Sequence, residues 1–125
     1  DWSSDVCSSD LKNGTISCHM YQRSVDVFLG LPFNIVSYSI LTYLIGIMTG
    51  YTPHELIIST GDTHIYNNHI EQVNTYLKRP IHQSATIDFN KENILKSHYL
   101  YNLSENDIKI IGYFYEPYIK AQMAI

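Results

Sequence analysis

Residues 21–34 read YQRSVDVFLGLPFN, and the way this stretch divides decides the fold. Its first part continues a segment that begins at Thr15, with patchy alternation and β-branched residues, and residues 15–29 are expected to form a strand or two. Gly30-Leu31-Pro32 breaks that pattern, because glycine loosens the backbone and proline removes a donor. From residue 33 to residue 49 (FNIVSYSILTYLIGIMT) apolar side chains run nearly all round before Gly50. Such a run predicts a buried core helix. A membrane span is disfavoured, since the run is short and interrupted by Asn34, Ser37, Ser39 and Thr42.

Working outward, residues 55–58 lead as a strand into 59–66 (STGDTHIY), a functional loop with an extended continuation. Residues 67–79 place Ile70, Val73 and Leu77 at helical spacing behind an Asn67 cap, and Pro80 ends them. Residues 84–89 and 107–113 are expected strands, with a short helix over 92–100 between them. There is no βαβ rhythm, repeat or linker, so the pattern predicts an α+β fold, a mixed sheet with one long buried helix.

A chain of 125 residues allows one domain with a modest core. Its 45% apolar and 16% charged residues exclude disorder. The formal charge of −4 falls to −1 once the three aspartates of residues 1–11 are set aside. The eight Lys and Arg are scattered, which gives no support to DNA or other nucleic acid as a partner. Two cysteines without a spacing pattern suggest neither a disulfide framework nor zinc, and a reducing, cytoplasmic setting is expected. His54, His69, His82 and His98 share no ligand spacing and His19 stands alone, so surface or structural roles are assigned to them and no metal is expected.

Three polar groups stand where a plain core needs none. Arg23, Ser24 and Asp26 combine a guanidinium, a hydroxyl and a carboxylate, either an anion site or a strand-end ion pair. Asn34 heads the apolar helix, as its cap or as a planar reader with one acceptor and two donors. Uracil presents a matching N3–H beside O4, cytosine the reverse. His64 and Tyr66 share a face if their segment is extended, and either hold a sugar hydroxyl or satisfy one another at a strand edge. Phosphate group, base reader and sugar pair together suggest a pyrimidine nucleotide.

The runs SCHMYQRSVDVFLGLPFNIVSYSILTYL, GDTHIYNNHIEQV and IIGYFYEPYIKAQMAI resemble the folate-dependent thymidylate synthase family, colinearly over residues 12–125. The resemblance implies that family's fold and its reaction, methyl transfer from 5,10-methylenetetrahydrofolate to dUMP, with dUMP and folate as partners, a homodimer, and no membrane. It implies that Arg23, with Ser24 and Val25 beside it, binds the nucleotide phosphate, that Asn34 reads uracil, and that His64 and Tyr66, flanking Ile65, hold the deoxyribose 3′-hydroxyl. Asp26 would meet both the pterin ring and the nucleotide. Ala124 and the carboxylate of Ile125 would belong to the tail that closes over the folate. Val25 departs from the small or thiol residue frequent there, and Thr60 from a common glycine. Deoxycytidylate hydroxymethylase is the nearest alternative, and Asn34 argues against it. A non-catalytic nucleotide- or RNA-binding remnant is a second.

In the family a cysteine thiolate in a Pro-Cys-His context adds to C6 of the uracil. Cys7 has Val6 and Ser8 as neighbours, and Cys18 lies on the phosphate strand. No catalytic residue is therefore assigned, and the chain is expected to be a C-terminal part of the enzyme, inactive alone. Residues 1–11, DWSSDVCSSDL, show no apolar periodicity and read as neither helix nor strand. They match the translation of a common sequencing-adapter oligonucleotide and are expected to be non-native.

Overall fold

The computed structural model describes residues 6–12, 14–97 and 99–123. Strand β1 (Val6–Lys12) pairs antiparallel with β2 (Thr15–Asp26), which pairs parallel with β3 (Thr52–His64). Helix α1 (Leu31–Thr49) crosses between the two parallel strands. A one-turn 3-10 helix at Asn67–His69 leads into α2 (Ile70–Leu77). Strand β4 (Thr86–Phe89) and strand β5 (Ile108–Ile111) form a separate antiparallel pair around α3 (Lys91–Ser97). The architecture is α+β with a mixed three-stranded sheet, as expected.

Strand β2 buries Ile16, Cys18, Met20 and Gln22 at the two-residue period. Arg23 and Ser24 are both exposed, and burial resumes at Val25. The second cluster joins Leu44 of α1 to Phe89 and Ile94, with Ile40, Ile47, Met48, Leu103 and Ile108 around them. Near it, Asp107 accepts from the Ser104 backbone N–H and hydroxyl, both 2.9 Å, and from Asn93 Nδ2 at 2.9 Å. These donors, the Ser104 backbone first, hold its carboxyl below the ordinary 3.8.

Five expectations need correction. The β2–α1–β3 passage is a βαβ unit, invisible as a rhythm because it occurs once and repeats nowhere. Of Gly30-Leu31-Pro32 only Gly30 precedes the helix, at the end of the turn that follows β2. The helix starts at Leu31 with Pro32 in its first turn, where no intrahelical N–H is required. Nor is α1 buried: of its residues only Thr42, Leu44 and Gly46 are, while Phe33 is 76% exposed. By length and composition it could cross a membrane. Asn67 caps nothing, since α2 begins three residues later from His69 without a side-chain cap bond.

The fifth concerns residues 6–12, read as no strand at all. They pair with β2 over seven residues, from Val6 opposite Tyr21 to Lys12 opposite Thr15. Ladder bonds are made by the main chain and need no apolar alternation. Gly14, just before Thr15, takes φ 76°, a left-handed conformation suited to a hairpin turn.

Candidate functional site

The carboxyl ends of two parallel strands and the first turns of their crossover helix converge, the place where open α/β units bind ligands. Register sets Ser24 opposite Asp62 and Asp26 opposite His64, and Val27 N–H donates to the His64 carbonyl at 3.0 Å. Arg23 comes close to Gly61: a Cβ at Gly61 would lie 2.6 Å from the Arg23 carbonyl oxygen. Only glycine lets the two strands meet there. Thr60, next to it, lies within β3 opposite Gln22, in ordinary strand pairing.

After β2 the chain turns on Asp26. Its Oδ1 accepts from Phe28 N–H at 3.0 Å and Leu29 N–H at 3.1 Å, and its carbonyl from Gly30 N–H at 3.0 Å. The carboxylate is thus fixed at the mouth of the unit by an Asx-type turn. One turn into α1 stands Asn34. It makes no cap, because Gly30 occupies that position without a side-chain bond.

What holds Asn34 is Gln22, whose Nε2 donates to Asn34 Oδ1 at 3.2 Å. A carbonyl oxygen has two lone pairs, so Oδ1 keeps one for an incoming N–H, and Nδ2 keeps two donors. The Asn34 amide thus offers an acceptor and donors side by side. Gln22 is 6% exposed, and it was not among the expected site residues. Its signal was position: a polar side chain in phase with buried Ile16, Cys18 and Met20 must find a partner.

His64 Nδ1 lies 3.2 Å from the Asp62 carbonyl oxygen. A carbonyl can only accept, so Nδ1 carries a hydrogen. The Tyr66 ring stands edge-on to His64, centroids 4.9 Å apart. The expected pair is together, although Tyr66 lies just beyond the strand, and Ile65 between them is 39% exposed. Val25 is fully buried and pairs with Thr63 of β3. Ala124 and Ile125 lie outside the described residues. Cys18 is buried on the core face of β2. A cavity of about 260 Å³ lined by Asp88, Asn90, Asn106, Asp107 and Lys109 holds none of these residues.

The family model for thymidylate synthase matches residues 4–125. This chain belongs to the thymidylate synthase family. The thymidylate synthase of Leuconostoc mesenteroides is 48% identical over 113 residues, which are 90% of this chain and 34% of that protein. That of Oenococcus oeni is 45% identical over 113 residues, again 90% and 34%. That of Brachyspira hyodysenteriae is 48% identical over 114 residues, 90% of this chain and 41% of the relative. The chain thus spans 34–41% of the length of these thymidylate synthases.

Proposed function

We propose that residues 12–125 carry the nucleotide-reading part of a dUMP site in a thymidylate synthase that methylates dUMP to dTMP with 5,10-methylenetetrahydrofolate. The observation that carries this reading is Asn34, fixed by Gln22 beside the carboxyl ends of β2 and β3. Its free lone pair takes the uracil N3–H and its amide meets O4. Arg23 and Ser24, exposed on the adjoining strand, receive the phosphate, and the 3′-hydroxyl donates to His64 Nε2 beside the Tyr66 phenol. Asp26 faces both ligands, and Ala124 belongs to the segment that closes over the folate.

The chemical step needs a thiolate at C6 of the ring. No Pro-Cys-His occurs in the sequence, and Cys18 is buried within the sheet. This polypeptide binds without turning over, and the whole enzyme acts as a homodimer. Residues 1–11 are non-native, although Val6–Lys12 form a ladder with β2.

The test is a chimera in which residues 12–125 replace the matching segment of the Leuconostoc mesenteroides relative. It should prefer dUMP to dCMP, and Asn34→Asp should reverse that preference about 10- to 100-fold, the worth of one or two exchanged hydrogen bonds. Gln22→Leu should blunt the preference without reversing it. A chimera whose preference ignores residue 34 would sink the proposal.

A further inference from the structure

His69 was set aside as a structural histidine, yet it is completely buried and sits where three parts of the molecule meet. Its ring centroid is 5.7 Å from that of Phe28, in the turn that follows Asp26. On its other side Tyr66 stands edge-on at 5.7 Å. Its Nε2 lies 2.7 Å from the carbonyl oxygen of Gln122, fifty-three residues along the chain. Since that oxygen only accepts, Nε2 bears the hydrogen. Nδ1 is buried without a hydrogen-bond partner among the described residues, so the bond to Gln122 is the one that fixes the ring's tautomer.

We propose that His69 is a positioning residue that latches the C-terminal segment to the sugar-binding end of the site. The proposal rests on the reading of that segment as the cover over the folate, and adds what holds it there. Among the described residues the segment has no regular secondary structure over 113–123, so side chains must supply its anchorage. Four do so, all from the region between Tyr66 and the start of β4. His82 Nε2 meets Glu116 Oε1 at 2.9 Å, Arg79 donates to the Pro117 carbonyl, and Gln72 Nε2 to the Lys120 carbonyl at 3.5 Å. Glu116, Arg79 and Gln72 are part-exposed and His82 is exposed, where such contacts are worth little. Of the four side chains only that of His69 is fully buried, and only its ring also touches Tyr66 and Phe28. The order of rings His64, Tyr66, His69, Phe28 makes one packed row from the sugar pair to the Asp26 turn, and Gln122 is tied to its middle.

The 125-residue chain itself provides the test, by trypsin cleavage after Lys120 measured against cleavage after Lys96 and Lys109. Two variants separate the ring from its N–H. His69→Phe keeps an aromatic ring and removes the donor. His69→Gln keeps an N–H near the same place and removes the ring. The latch predicts that His69→Phe speeds cleavage after Lys120 about tenfold while the internal sites keep their rates, and that His69→Gln stays close to the parent at Lys120. Equal acceleration at all three sites, no tail-specific change in His69→Phe, or a Gln variant released as fast as the Phe variant would each overturn it. Nucleotide preference plays no part in this readout, so failure here and failure of the Asn34 reading are distinguishable.

Discussion

The two sides of α1 differ in kind. At its first turns, Asn34 has its hydrogen-bond partner within the chain, the neighbouring Asp26 turn closes on itself, and both strands that frame them are paired. Along its outer side, Phe33, Ile35 and Val36 are between 42% and 76% exposed among the described residues. A helix apolar all round ordinarily lies inside a larger core. The comparison teaches that the polar geometry of this site is local to the sequence, whereas the hydrophobic cover is not. Precision at Asn34 comes from hydrogen bonds within the β2–α1–β3 unit, and stability from surface that the unit alone leaves wet.

The largest effect that could break this comparison concerns the outer side. Val36→Asn and Phe33→Ser should change the melting temperature of the isolated chain little, within about 0.5 kcal/mol of stability as surface substitutions usually do. In the chimera the same changes should cost about 2–4 kcal/mol each, the scale of a core deletion. Equal effects in both settings would mean that α1 is as covered in the isolated chain as it is in the chimera.

A smaller effect sharpens the other half, by asking whether a polar cluster here is self-contained away from the site as well. Asp107 is buried in the described structure, and its carboxyl is lowered by donors all within residues 90–104. A carboxyl lowered on folding contributes stability that is fully present above its unfolded value and is lost as pH falls through the folded value. Asp107→Asn should therefore lower the melting temperature by a constant amount above about pH 5, and the deficit should shrink below the ordinary 3.8. A deficit that persists unchanged at lower pH would show that the carboxylate's charge is not what the Ser104 and Asn93 donors stabilise.

Much of this was legible in the sequence, for reasons that differ by element. Strand β2 announced itself through the two-residue period of Ile16, Cys18 and Met20, and α1 through its apolar run and its stop at Gly50, which takes φ 77°. Arg23, Asp26, Asn34, His64 and Tyr66 stood out as polar groups amid apolar segments, and the register of β2 and β3 brings those segments to one end of the sheet. Burial of α1 was not, since apolarity records what a face prefers and not whether a partner is present. The parallel pairing of β2 and β3 depends on where the crossover lands, which leaves no local mark. Strand β1 was missed because main-chain pairing imposes no pattern, though Asn13-Gly14 between Lys12 and Thr15 is a hairpin signal in its own right. Gln22 and His69 were passed over for one reason: each works through another residue, and a sequence shows neighbours in order, not in space.

The most direct test of the central claim, a nucleotide reader without its nucleophile, is tritium release from [5-³H]dUMP with 5,10-methylenetetrahydrofolate. The isolated 125-residue chain should release none above background, and the chimera joined to the Leuconostoc mesenteroides segment should turn over and lose turnover on Asn34→Ala. Tritium release by the isolated chain would contradict the account.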